Sequence, residues 1–398
     1  MLTKKQITFI INPISGTRDK RFIVRDIQKF LDCDKFDYNI EMTEYAGHAC
    51  EISQREKDKG TDIVVAVGGD GTVNEVASEL VNSNTALALI PCGSGDGLAR
   101  HLQIPLNIKG AIETINLCNI ESLDYATVCG RPFFVTCGMG FDAYVSYRFA
   151  EAKTRGVLTY LEQALTEWLR YKPETYTVED ANGTEKYKAF LITCANSSEY
   201  GNNAYIAPQA SMNDGMLDVT IVEPFNAIEA PQLALQLFSK TLRPGNHVRM
   251  IRTNKLTVHR EKEGVIHCDG DPIKAGKDLE FELIHHGIKM VTNPNAKPDR
   301  TNLFQNIMNF ADELQTRSRI FAEKNSPINV INKLRGKYPR QTLHRIIFCG
   351  TLCPLSHKRQ NAHFSLHFLC IKGHLKKHKA YCKKYKPYIL KYKAHILK

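Results

Sequence analysis

Residues 63–75 read I-V-V-A-V-G-G-D-G-T-V-N-E. Ile63 to Val67 are apolar and mostly β-branched, the pattern of a buried strand. Gly68, Gly69, Asp70 and Gly71 end it abruptly. Thr72 follows as the expected N-cap of a helix. Glu75 stands at capping-box spacing, and Val73, Val76, Ala77 and Leu80 recur at helical intervals. A strand, a glycine turn and a helix N-terminus together make a place to hold phosphate. Glycines let the backbone approach an anion, and the first helical N–H groups point at it. Asp70 is the discordant residue. A carboxylate repels bare phosphate, but it suits a magnesium ion or a hydroxyl that must lose its proton. The stretch contains neither G-x-x-x-x-G-K-[ST] nor G-x-G-x-x-G. Alone, it is also compatible with an ordinary strand-to-helix turn of an α/β domain.

The flanking sequence repeats the same unit. Ile7–Ile11 reads as a strand ending in N-P-I-S-G at 12–16, tight-turn chemistry in which Asn12 is placed to bond a phosphate. Phe22–Leu31 has helical spacing, and Phe36–Glu41 is a second strand. Thr43, Glu44 and then G-H-A at 47–49 open another helix. Ala86–Ile90 is a fourth strand, closed by P-C-G-S-G-D-G-L-A-R at 91–100, a second glycine-rich loop entering a helix. Strand–helix units of this length imply a parallel, doubly wound sheet with its ligand crevice at the strand carboxyl ends.

After Leu117 the pattern changes. Ser122–Val128 and Pro132–Cys137 read as short strands, followed by a helix-rich stretch from Gly138 to Arg170. Strands are expected at Thr175–Glu179, Lys186–Ala195 and the end of N-D-G-M-L-D-V (213–219). A helix near Ile228–Ser239 precedes strands at Val248–Ile251, Lys255–His259, Val265–Cys268 and Leu279–Leu283. Short turns between successive strands predict an antiparallel sandwich or barrel. The organisation read from the sequence is an α/β nucleotide-binding domain over 1–120, an antiparallel β-sandwich over 121–292 and an extension over 293–398.

Composition supports this division. The chain has 398 residues, 43% hydrophobic and 24% charged, as in a soluble globular protein of two domains. No run of eighteen apolar residues occurs, so no transmembrane helix is expected, and the N-terminus leads straight into a strand without a signal-peptide pattern. Twelve scattered Cys suggest a reducing, cytoplasmic setting. The net charge of +11 is unevenly placed: residues 301–398 hold 20 Lys+Arg and 3 Asp+Glu, a net of +17 that leaves −6 on the first 300. In the tail, Leu303–Phe321 has amphipathic helical spacing. Cys370, His374, His378 and Cys382 recur every fourth residue, a weak metal-ligand pattern, and the Lys clusters suit anionic lipid headgroups. The reading preferred for 293–398 is a poorly ordered basic extension.

Seven segments in order carry a family resemblance: N-P-I-S-G (12–16), T-E-Y-A-G-H-A (43–49), V-G-G-D-G-T-V-N-E-V (67–76), P-C-G-S-G-D-G-L-A-R (91–100), G-F-D-A (140–143), N-D-G-M-L-D-V (213–219) and H-C-D-G-D-P (267–272). Across residues 5–292 the chain resembles the lipid kinases of the diacylglycerol kinase catalytic-domain family, which includes bacterial diacylglycerol kinases and sphingosine kinases. The resemblance implies an ATP-binding α/β domain similar to that of NAD kinases and phosphofructokinases. A β-sandwich domain would help bind lipid, with the site between the two. It implies that Gly68, Gly69, Asp70, Gly71, Thr72, Asn74 and Glu75 cradle the nucleotide phosphates, with Asn12, Thr43, Ser94 and Gly95 as further contacts. Mg2+ would offset the phosphate charge beside Asp70 or Asp269. The family's D-G-E reads D-G-D here, so Asp271 takes the place of the proton-accepting glutamate, one methylene shorter, with Asp70 as rival base. Asp96, Arg100 and Asp142 fall on the substrate side. A structural magnesium would lie at the N-D-G turn, on the Asp214 side chain and oxygens of Ser211 and Met216.

Each assignment has a plainer counterpart. Asp-Gly at 269–270 is a strong hairpin signal, Asp142 suits a helix N-terminus, and Arg100 suits a solvated helix face. The second loop reads G-S-G-D-G-L-A-R where bacterial diacylglycerol kinases usually read G-T-G-N-D-F-A-R, nearer to sphingosine kinases, so the lipid stays open. The expected activity is ATP-dependent phosphorylation of a hydroxyl on a lipid such as diacylglycerol or a sphingoid base. The lipid would be presented at the inner face of a membrane to a peripheral cytoplasmic protein, with a homodimer among the states considered and no nucleic-acid partner. The alternatives are NAD kinase-like phosphorylation of a soluble nucleotide, and a non-enzymatic nucleotide- or nucleic-acid-binding protein driven by the basic tail.

Overall fold

The computed structural model describes residues 4–15, 20–151 and 171–296. The basic tail, its amphipathic stretch and its Cys/His pattern lie outside them. The first half alternates strand and helix: β1 (Lys5–Ile11), α1 (Lys20–Phe30), β2 (Phe36–Met42), α2 (His48–Lys59), β3 (Ile63–Gly68), α3 (Asp70–Leu80), β4 (Ala86–Pro91), α4 (Gly97–His101) and α5 (Ile108–Leu117). The four strands run parallel in the order β2-β1-β3-β4. Every residue of β3 and β4 is buried, which is why both are continuous apolar runs rather than alternating ones. Helices α1 and α5 pack together, as do α2 and α3, and their apolar faces close a core around Phe9, Ile23, Ile27, Val65, Val76 and Ile112.

The second half contains β5 (Ile120–Val128), β6 (Arg131–Phe133), β7 (Thr136–Gly140), α6 (Phe141–Glu151), β8 (Glu174–Asp180), β9 (Gly183–Ala189), β10 (Leu191–Ala195), β11 (Leu217–Val222), α7 (Ala230–Phe238), β12 (Val248–Thr253), β13 (Lys255–Arg260), β14 (Gly264–Cys268), β15 (Asp271–Ala275) and β16 (Asp278–Val291). One antiparallel sheet has the order β12-β11-β10-β7-β14-β15. It faces β5, β6, β8, β9, β13 and the start of β16. Met139, Ile192, Val219 and Ile266 share a core with Val128, Tyr176, Val258 and Phe281. This is the expected β-sandwich joined to the expected α/β domain.

The joint is β16, which is 14 residues long. Its first residues pair antiparallel with β13, from His259↔Asp278 to Lys255↔Glu282. Its end runs parallel to β4 at Met290↔Leu87, and β5 pairs with it from Phe281 to Ile284 and again from Ile288 to Val291. The partner changes at a bulge between Ile284 and Ile288, where His286 takes φ 53°. Gly287 is required there, because a Cβ would lie 2.4 Å from the Tyr125 ring. The last strand of the body thus completes the first sheet as well as the sandwich.

Two local expectations change. Lys186–Ala195, read as one strand, is two: the chain passes from one sheet to the other at Phe190, whose N–H bonds Val222 O. Apolar alternation runs through the crossing and does not register a change of sheet. Helix α3 begins at Asp70, with Gly69 and not Thr72 at the N-cap and no side chain capping it. The eight cysteines among the described residues are free thiols, and no described helix is long and apolar enough to cross a membrane.

Candidate active site

The loops that leave the carboxyl ends of β1 to β4 meet one another. Gly69 is extended (φ −99°, ψ −172°) and hands the chain to α3 at Asp70. Thr72, inside the first turn, is buried, and its Oγ1 accepts from Asn12 Nδ2 at 3.0 Å. Thr43 is also buried, its N–H bonded to Ile11 O at 2.9 Å. Glu75 reaches from α3 to accept from Gly47 N at 3.2 Å. Asp70 crosses to the second glycine loop, accepting N–H groups of Asp96 at 3.1 Å and Gly97 at 2.9 Å. Burial pushes its carboxyl above the usual range, while those amides and Arg100 pull it back. The two loops interlock backbone to backbone: a Cβ on Gly93 would lie 2.7 Å from Gly69 Cα. Asp96 sits at φ 49° and accepts from Gly93 N at 2.9 Å, and Arg100 Nε donates to Gly95 O at 2.9 Å. Both therefore shape the loop. Ser94 is exposed at its tip.

The β14–β15 hairpin lies over these loops. Asp269 (φ 48°) and Gly270 (φ 89°) make its two-residue turn, both at positive φ as primed hairpin turns require. The plain hairpin reading therefore holds, and the turn does more. The Asp269 carboxylate accepts from Phe134 N at 3.0 Å, Val135 N at 2.7 Å, Thr136 N at 3.1 Å and Asn74 Nδ2 at 2.7 Å. It ties the sandwich to α3, and it takes up the amide of Asn74. Asp271, across the turn, is open to solvent on one side. Its carboxyl faces the first loop, so that a Cβ on Gly71 would meet Oδ2 at 3.5 Å. Desolvation raises its pKa; Arg131 opposes, Asp70 and Glu75 add to the rise, and His267 opposes.

Behind the hairpin, Asp142 is buried at the start of α6 and holds four donors: Ala143 N and Thr193 Oγ1 at 2.8 Å, Tyr200 OH at 3.0 Å and His267 Nε2 at 3.2 Å. Gly138 makes room for this cluster, since a Cβ there would lie 2.0 Å from Asp142 Oδ2. At the far end of the hairpin, Arg260 donates to the carbonyls of Gly264 at 3.0 Å, Ala275 at 2.7 Å and Gly276 at 2.9 Å. One guanidinium thus clasps the start of β14 and the end of β15 through their carbonyls.

The N-D-G turn lies elsewhere, beyond Asp124. Asp214 Oδ1 accepts from Met216 N at 3.1 Å, and Oδ2 is bonded to Arg252 Nη2. Ser211 Oγ donates to Asn213 Oδ1 at 2.8 Å. Asp124, fully buried, accepts from Gly215 N at 2.8 Å, His286 N at 2.7 Å and His285 Nδ1 at 2.8 Å. As arranged, Asp214, Ser211 and Met216 do not fit a divalent cation, because the one carboxylate of the turn is already shared between an amide and a guanidinium; Asp124, His285 and His286 beside it bring three potential ligand atoms within 4.8 Å of one another.

These contacts bring Asn12, Gly68 to Thr72, Asn74, Gly95, Asp96, Arg100, Asp269 and Asp271 together, with Thr43, Glu75 and Ser94 on the same set of loops and helices. The structure sets Asp142 behind them and Ser211, Asp214 and Met216 apart. His267, Tyr200, Thr193, Arg131, Arg260 and Asn196 escape the sequence reading. His267 adjoins the D-G-D motif in sequence, and Asp124 is the lone carboxylate inside the expected strand Ser122–Val128. Nothing local marks the others.

Interlocked glycine turns under an acidic hairpin suit phosphoryl transfer, which needs positioning and charge neutralisation more than covalent chemistry. Comparison with known proteins places the chain. Residues 6–128 match the diacylglycerol kinase catalytic domain, and residues 135–281 match the YegS C-terminal NAD kinase beta sandwich-like domain. The diacylglycerol kinase of Mycobacterium tuberculosis is 30% identical over 229 residues, covering 54% of this chain and 71% of that protein. The diacylglycerol kinase of Bacillus subtilis is 27% identical over 275 residues, covering 67% and 90%. A solved diacylglycerol kinase structure from Bacillus anthracis shares the fold, with a TM-score of 0.59 at 20% identity over 74% of this chain and 99% of that one. The chain belongs to the diacylglycerol kinase catalytic-domain family of lipid kinases.

Proposed function

We propose that the protein transfers the γ-phosphoryl group of ATP to the hydroxyl of a lipid such as diacylglycerol or a sphingoid base, presented at a membrane surface. The observation that supports this most is the contrast among three aspartates at the crevice. Asp70 and Asp269 are each held by backbone N–H groups, which leaves the carboxylate of Asp271 facing Gly71 across the opening. Backbone N–H groups of Gly69 to Thr72 hold the nucleotide phosphates at the N-terminus of α3. ATP brings the group transferred, and its magnesium ion offsets the phosphate charge. Asp271 accepts the hydroxyl proton as the oxygen bonds to phosphorus, general-base work for which its raised pKa is suited. Asp70 is the weaker candidate for that role, since both its oxygens accept backbone hydrogen bonds. The deciding assay offers labelled ATP with diacylglycerol, sphingoid bases and NAD in parallel. Label in a lipid phosphate supports the proposal; label only in NADP overturns it.

A further inference from the structure

The N-D-G turn holds an internal cation. Arg252 projects from β12 opposite Asp218 of β11. Its Nη2 bonds Asp214 Oδ2 and its Nε lies 3.3 Å from Asp218 Oδ1, so one guanidinium bridges both carboxylates. The Asp218 side chain is only 13% exposed, and its other oxygen, buried, has no hydrogen-bond partner among the described residues. Without Arg252, two carboxylates would face each other at a tight turn with one of them largely out of water, an arrangement that calls for a positive charge.

We infer that Arg252 stands in this protein where the family resemblance implies a structural magnesium, so that the turn is pinned by a side chain and needs no divalent ion. Guanidinium suits the place because it is always charged and its fork engages two acceptors at once. The turn then connects inward through protein contacts alone. Gly215 N bonds Asp124 Oδ2 at 2.8 Å, and Asn196 Nδ2 bridges Asp124 O at 3.0 Å and Phe134 O at 2.9 Å. Phe134 N in turn bonds Asp269 at 3.0 Å. The geometry of the D-G-D hairpin therefore rests on Arg252 at several removes, whichever alcohol is phosphorylated.

Thermal unfolding of the full chain tests this without any substrate. The wild-type midpoint is expected to be the same in EDTA, in MgCl2 and in CaCl2, and the desalted protein is expected to carry no stoichiometric divalent metal. Arg252→Met is expected to melt roughly 5 °C lower in EDTA and to recover part of that loss in excess Mg2+ or Ca2+, which can then occupy the place between Asp214 and Asp218. A wild-type midpoint that falls on chelation, or a tightly retained divalent ion, overturns the inference. So does an Arg252→Met protein as stable as wild type, or one that neither cation raises. Should Arg252→Met fail to accumulate folded, the wild-type chelation series and the milder Arg252→Lys, which keeps the charge without the fork, decide the matter by the same criteria.

Discussion

Asp269 accepts from three consecutive backbone amides, Phe134 to Thr136, and from Asn74, whereas Asp271 two residues on faces Gly71 of the first glycine loop. The same side chain in the two places should fail in different ways. Asp269→Asn keeps the shape but replaces one acceptor oxygen with a donor against buried amides. It is expected to cost on the order of 3 kcal/mol of stability, read as a lower unfolding midpoint. Asp271→Asn should leave the midpoint in place and lower kcat by about 10²–10⁴, the range of a lost general base. Full turnover in folded Asp271→Asn would remove it from the mechanism. The pH profile adds a sign. A base acts deprotonated, so kcat/KM should rise with pH through the Asp271 pKa. Desolvation together with Asp70 and Glu75 raises that pKa, so the acid limb should lie above the ordinary aspartate value of about 3.9.

At the scale of elements, two pieces position the chemistry. The interlocked glycine loops leave no space between Gly69 and Gly93. Gly93→Ala is expected to push them apart at a cost of about 1–3 kcal/mol. It should raise KM for the nucleotide more than KM for the lipid, because only the phosphate loops move. The β14–β15 hairpin is clasped at its base by Arg260 through the carbonyls of Gly264, Ala275 and Gly276. Arg260→Met should lose about 2–3 kcal/mol, as several hydrogen bonds to a charged donor disappear together. Hydrogen exchange should then speed up over 264–275 before it does elsewhere. Unchanged exchange there would mean that the hairpin is held by its sheet alone.

At the scale of the whole molecule, the two domains are not consecutive beads. The end of β16 fills the edge of β4, and Thr292 N bonds Asn119 O, so the first sheet is finished only by residues late in the body. A fragment of residues 1–135 should therefore fail to unfold cooperatively in circular dichroism, with the apolar edge of β4 exposed. Removing residues 297–398, by contrast, should leave kcat on dispersed lipid nearly unchanged, since every residue assigned to the site falls between Asn12 and Asp271. The sequence by itself determined the parallel strand–helix units, the sandwich class, both glycine loops and the D-G-D turn, because burial of one face and tight turns are written into residues a few positions apart. Tertiary structure alone decided that Asp269 would meet Asn74 across 195 residues. It alone decided that the chain would change sheets at Phe190, that β16 would serve both layers and that Arg252 would close on Asp214. Those outcomes depend on which surfaces pack together, and a local window of sequence holds no record of a partner that arrives from far along the chain.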